Sequence, residues 1–212
     1  MKTAERRDLS KRQKRPQRLR AAMLLVAAAL ALQGCIEAAI LGGAAATAVA
    51  ISDRRQPELI LGDKRIEYTV SSRIGDAVGE QAHINVSSYN STVLLTGEAY
   101  TPELKSQAEK IAAEVPQVRN VVNEIEIAGR SSLASRSNDS LITTRVKGNL
   151  MSEAGKKYEA EQVKVVTERG VVYLLGLVTR DEADAITDVV RSTTGVHKVV
   201  RVFEYVQPAT KR

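Results

Sequence analysis

The single cysteine of this 212-residue chain, Cys35, closes the tetrad Leu32-Gln33-Gly34-Cys35. A thiol is a nucleophile when ionised, and Gly34 before it leaves the backbone open to approach. One Cys cannot close an intramolecular disulfide, and two histidines, His83 and His197, cannot build a His-rich metal site. The two histidines fall in a segment before a strand and in a loop, with no Ser or Cys nucleophile motif beside them. They read as surface or structural imidazoles rather than general bases. Asp181, Glu182, Asp184 and Asp188 gather at and along a predicted helix start, where carboxylates complement the dipole and face water. G-x-S-x-G, H-E-x-x-H and phosphate-loop patterns do not occur. No catalytic residue, metal, cofactor or small-molecule substrate is therefore expected.

The segments around Cys35 give its chemistry a setting. Residues 1–20 hold nine Lys and Arg against two Asp and Glu, whereas the whole chain has a net charge of +6. The remainder is thus slightly acidic, and the high pI belongs to one terminal segment rather than to a field for nucleic acid. Trp is absent and Phe occurs once, so stacking platforms for single strands are not expected either. The apolar run Ala21–Leu32 follows the basic segment; it is shorter than the ~20 residues a membrane-spanning helix needs. A basic start, a short apolar run and a terminal cysteine have the architecture of a signal peptide, and the tetrad resembles a bacterial lipobox. That likeness implies a leader over 1–34 and acylation of Cys35. Three acyl chains, at ~0.8 kcal/mol per buried CH₂, anchor a protein to a bilayer without spanning it. Ile36 is not the Asp associated with inner-membrane retention, so the outer membrane, facing the periplasm, is the expected address.

After the anchor, residues 35–62 read as a flexible tether, Ala- and Gly-rich and then polar at Asp53-Arg54-Arg55-Gln56-Pro57. Beyond it the chain repeats itself. Ile84–Gly97 lies over Val163–Gly176 at an offset of 79, and Val118–Ile127 over Val196–Tyr205 at an offset of 78. Each copy opens with a helix behind a candidate N-cap, Asp63 or Asp139, that buries Ile66, Val70 and Ile74 or Ile142, Val146 and Leu150 at i, i+4, i+8. Two strands follow, joined by tight turns at Tyr89-Asn90-Ser91 and Glu168-Arg169-Gly170; the second strand ends at Gly97 or Gly176. A second helix starts behind Thr101-Pro102, or behind the capping-box spacing of Thr179 and Glu182, with Leu104, Ala108, Ile111 and Val115 or Ala183, Ile186 and Val190 inward. A last strand, Val121–Ile127 or Val199–Val206, completes an αββαβ unit. The fold class is α+β: two tandem αββαβ domains, 63–130 and 138–207, each a three-stranded mixed sheet on two helices, with a short tail at 208–212. A domain of ~60 residues buries only ~60% of its unfolded surface, so the copies are expected to pack on each other.

The duplicated αββαβ order, the strands Val93-Leu94-Leu95-Thr96-Gly97 and Val172-Tyr173-Leu174-Leu175-Gly176, and the Val118-Arg119-Asn120-Val121-Val122 and Val196-His197-Lys198-Val199-Val200 ends resemble BON domains. Asn138–Val146 is the most specific stretch. The resemblance implies a non-catalytic outer-membrane lipoprotein associated with anionic phospholipid, membrane integrity and the cell-division site. It further implies lipid contact through the first helix of the second domain. On that helix Leu141, Thr144 and Arg145 lie opposite Ile142, Val146 and Leu150, and Lys147 lies on a flank. Leu141 stands where the resemblance leads one to expect an aromatic. An exposed apolar side chain between two cations suits interfacial insertion with phosphate attraction; packing of Leu141 on the first domain is the alternative. At the level of the whole protein the alternative is an adaptor for an envelope assembly or peptidoglycan-remodelling protein.

Overall fold

The computed structural model describes residues 55–155 and 157–207. The last six residues read as tether, 57–62, are instead helical, and the expected leader, Cys35, residues 36–54 of the expected tether and the tail lie outside the described residues. Among them, α1 (Pro57–Val78), β1 (Ala82–Tyr89), β2 (Thr92–Ala99), α2 (Pro102–Ala113), β3 (Asn120–Asn123) and β4 (Glu126–Ile127) form the first unit. The second comprises α3 (Leu133–Glu153), β5 (Val163–Glu168), β6 (Val171–Val178), α4 (Arg180–Arg191) and β7 (Lys198–Tyr205).

Both opening helices start six residues before the aspartates expected to cap them. Pro57 opens α1 at a position where its missing N–H is not needed, and Ser132 caps α3 by accepting from the Ser135 amide at 3.1 Å. Asp63 and Asp139 are instead buried within their helices and hold the hairpin turns. Asp63 accepts from the amides of Asn90 and Ser91, both at 2.8 Å, from the Ser88 hydroxyl at 2.7 Å and from Arg55 at 2.6 Å. Asp139 accepts from the amides of Arg169 at 2.9 Å and Gly170 at 2.8 Å. Those turns place Asn90, Ser91, Arg169 and Gly170 at φ between 51° and 75°, a backbone whose amides point together and need an acceptor. In sequence the same residue type, at the start of an apolar period, looks like a cap; burial decides otherwise.

In each unit the central strand pairs antiparallel on one side and parallel on the other: β1–β2 with β2–β3, and β5–β6 with β6–β7. The expected strand end at Gly97 and Gly176 is corrected: both glycines lie inside strands that run two residues further. A Cβ at Gly97, which has φ of 106°, would come within 2.0 Å of the His83 carbonyl oxygen, and one at Gly176 within 2.7 Å of that of Gln162. Close approach of the neighbouring backbone therefore requires the glycine. The last strand of the first unit is split, because Ile125 turns into the core and its amide bonds to Asn123 Oδ1 at 3.3 Å rather than to the ladder. β4 then returns to pair with β2.

Alternation along the strands sorts the apolar side chains into three cores. Val93 and Leu95 join Ile66, Val70, Ile74 and Ala108 under the first helix pair, and Val172 and Leu174 join Ile142, Val146, Ile186 and Val190 under the second. Leu94 and Tyr89 point the other way and meet Tyr173 and Leu175 of the second sheet. The units thus stack through their open sheet faces, giving helices, sheet, sheet and helices in four layers. Polar contacts seal the joint. Asn85 donates to Glu168 at 2.7 Å, Tyr89 to the Gln162 carbonyl at 3.1 Å, and Asn90 to Glu204 at 2.8 Å. Lys164 reaches back to Glu67 and to the Ser88 carbonyl.

Candidate functional site

The helix the sequence singles out, α3, runs 21 residues, roughly 30 Å at 1.5 Å per residue. Its inward face carries Ile142, Val146 and Leu150 into the second core. Its outward face is a stripe of Leu133, Leu141, Thr144, Gly148 and Met151, with Leu133 76%, Leu141 55% and Met151 67% exposed. Leu141 is therefore not consumed by the joint between the units. Thr144, Arg145 and Lys147 are also exposed. The Thr144 hydroxyl donates to the Ser140 carbonyl at 2.9 Å, which satisfies it within the helix. At about 100° per residue, Arg145 falls on one side of the stripe and Lys147 on the other. Arg145 leans toward the α4–β7 loop, with Nη1 3.7 Å from where a Cβ on Gly195 would stand.

The charges of α3 are divided between its faces, and exposed Glu153 ends the helix. Between Leu133 and Met151 the chain has Arg136, Asp139, Arg145 and Lys147. Asp139 is turned inward onto the hairpin amides, and Arg136 Nη1 sits 3.3 Å from His83 Nε2 at the joint. What reaches solvent on the outer face is thus three apolar side chains, Leu133, Leu141 and Met151, spaced by Ser137, Ser140, Thr144 and Gly148 and lying between two cations. Leu133 and Met151 were not among the expected site residues, because a helix begun at Asp139 excludes the first and a core read only to Leu150 leaves the second at the end. The exposed apolar spacing Leu133, Leu141, Met151 is itself a readable helical stripe once the Ser132 cap is recognised.

The other chemistry-bearing residues lie at the joint between the units, at a hairpin turn and at a helix start. His83 Nδ1 lies 3.7 Å from Glu98 Oε2, and Arg169 Nη1 lies 3.5 Å from Glu98 Oε1 and its Nε 3.1 Å from Glu126. Glu98 is fully buried at this joint between the units. Burial pushes the Glu168 carboxyl above the usual carboxylate range, with Glu98 and Asp139 adding to the rise against the Asn85 hydrogen bond. His197 packs its ring on Gly170. Thr179 and Glu182 form the expected capping box on α4, so two of the acidic residues at that helix start stabilise or complement its end. Among the described residues, no three or more His, Cys, Asp and Glu side chains gather as a metal-ion set, and no helix is long and apolar enough to cross a membrane.

The BON domain model matches residues 62–129 and 138–207. The chain is 37% identical over 184 residues to the outer membrane lipoprotein DolP of Haemophilus influenzae, covering 86% of this chain and 94% of that protein. It is 39% identical over 146 residues to a 21 kDa hemolysin of Actinobacillus pleuropneumoniae, covering 68% and 73% of the two chains. Two αββαβ units, a stacked pair of mixed sheets and a match along most of its length leave one conclusion: the chain belongs to the BON-domain family, as a dual-BON outer-membrane lipoprotein of the DolP kind.

Proposed function

We propose that this protein is a non-catalytic module, held on the periplasmic face of the outer membrane through acylated Cys35, that binds anionic phospholipid along the outer face of α3. In this reading it supports outer-membrane integrity, including at division sites. The observation that carries the proposal is the stripe of Leu133, Leu141 and Met151, open to solvent and flanked by Arg145 and Lys147. A soluble monomer exposes single apolar side chains routinely, but three on one side of a helix, with a cation on each flank, offer a headgroup boundary several small anchors at once. The leucines and methionine would enter the boundary between headgroups and acyl chains, and the cations would sit at phosphate level. Each cation contributes about 1 kcal/mol near an anionic leaflet and nothing near a zwitterionic one.

Neutralising both cations tests the division of labour. Arg145→Gln with Lys147→Gln is expected to weaken binding to phosphatidylglycerol vesicles roughly 30-fold at low salt, from ~2 kcal/mol in total. Binding to those vesicles unchanged by the double variant would remove α3 as the lipid contact and favour the adaptor reading, in which these BON surfaces engage an envelope protein.

A further inference from the structure

The largest exposure of any large apolar side chain among the described residues is not on α3. Tyr68, on α1 of the first unit, is 78% exposed, and Leu61, seven residues earlier on the same helix face, is 62% exposed. Ile66, Val70 and Ile74 occupy the opposite face and are buried, so Leu61 and Tyr68 point directly away from the core. Lys64 and Arg65 are exposed on the two sides of this pair. Of the carboxylates nearby, Asp63 is buried on the hairpin turn, Glu67 accepts from the Ser88 amide, from Lys164 across the joint and from Lys64 at 3.0 Å, and Glu58, one turn before Leu61, is exposed on the same face. Α tyrosine has an apolar body and a polar tip, which suits a bilayer boundary better than a leucine does.

What covers this face follows from where the chain comes from. α1 is the first described element, and 21 residues separate Pro57 from Cys35. Even fully extended, at 3.3–3.6 Å per residue, that stretch reaches only ~70 Å. A chain anchored at Cys35 therefore holds α1 near the leaflet continuously, and a tethered contact of low intrinsic affinity is populated because its partner is always at high local concentration. We infer that the Leu61–Tyr68 face of α1, with Lys64 and Arg65, is a second membrane-contact surface, specific for an anionic leaflet and separate from that of α3. It rests on the anchoring of Cys35 put forward above but not on lipid binding by α3. The two helices lie in the two outer layers of the molecule, so α1 is a face of its own and not an extension of the α3 stripe.

The chain contains no tryptophan, which makes a direct test available. Tyr68→Trp and, separately, Leu141→Trp each give a single reporter in chain 35–212, coupled through Cys35 to a maleimide lipid in the vesicle. All three cores lie between Ile66 and Phe203, so this chain retains every cluster that holds the fold. On vesicles of three parts phosphatidylethanolamine to one of phosphatidylglycerol, the emission of Tyr68→Trp is expected to shift to shorter wavelength and to be quenched by acyl-chain-brominated lipid. Adding Lys64→Glu and Arg65→Glu to the same reporter is expected to abolish both effects, as are vesicles of phosphatidylcholine alone. A Tyr68→Trp emission identical on all vesicles and unquenched by brominated lipid would overturn the inference. If the Leu141→Trp reporter is then quenched, lipid reading by α3 stands without α1; if only Tyr68→Trp is quenched, α1 is supported and α3 is not the lipid face.

Discussion

A buried aspartate that accepts two or more turn amides ties a helix to the hairpin beside it, and this chain uses the device twice. Hydrogen bonds to a charged group contribute ~1.5–3 kcal/mol each, and removing the acceptor leaves buried donors unpaired. Asp139→Ala is therefore expected to lower unfolding free energy by about 3 kcal/mol in urea denaturation, and Asp63→Ala by more, because Asp63 also receives Ser88 and Arg55. Equal and negligible losses would contradict this role. Two other carboxylates titrate in opposite senses. Burial pushes the Glu67 carboxyl up, but the Lys164 ammonium and the hydrogen bonds from Lys164, Ser88 and Lys64 outweigh it and leave the group below its ordinary value. Its stabilisation is present above the unfolded pKa near 4.5 and is lost as pH falls through the folded value. Glu168 is raised, so its ionisation opposes folding: stability associated with it is full below the unfolded pKa and declines as pH rises through the folded one. Glu168→Gln is expected to be more stable than the parent at pH 7, with the difference shrinking on acidification through that window, and Glu67→Gln less stable at pH 7, with its deficit shrinking likewise. Thermal unfolding from pH 7 to pH 3 reads both; a constant difference across that range for either variant would remove the electrostatic explanation for it.

The elements were legible in the sequence to different depths. Repeated apolar spacing at i, i+4, i+8 identified the buried faces of α1 and α3, because those contacts are local to a helix and repeat in both copies. Thr179 and Glu182 announced the start of α4, since a capping box is settled within four residues. Thr179→Ala, which removes the acceptor for the Glu182 amide, is expected to cost about 1 kcal/mol in thermal unfolding. The starts of α1 and α3 were not legible, because Asp63 and Asp139 answer to turn amides 27 to 31 residues away in sequence, a pairing that no local pattern reports. That misplacement carried over to the candidate site. Leu141, Thr144, Arg145 and Lys147 were identified within α3, whereas Leu133 and Met151, which lie toward its two ends, required the true helix ends. The same is true of Tyr68: its aromatic side chain is plain in the sequence, but its direction is fixed only by the packing of α1.

At the scale of the molecule, stacking the two open sheet faces leaves the helices outside. Each unit alone would expose Tyr89 and Leu94, or Tyr173 and Leu175, together with a flank of valines. Pairing them buries the third core and presents helix surfaces as what the rest of the envelope meets. The outer faces of α1 and α3 are among the helix surfaces so presented, and the third core is buried in the joint between the units. Flotation of residues 36–212 with phosphatidylglycerol-containing and purely zwitterionic vesicles, at low and high salt, tests the central claim most directly when run beside Leu141→Glu/Arg145→Glu. Flotation is expected on the anionic vesicles alone, weakened by salt and lost in the variant while its circular dichroism and unfolding temperature stay those of the parent. Absence of flotation under every condition, or equal flotation of parent and variant, would contradict that claim and leave acylation of Cys35 as the membrane contact.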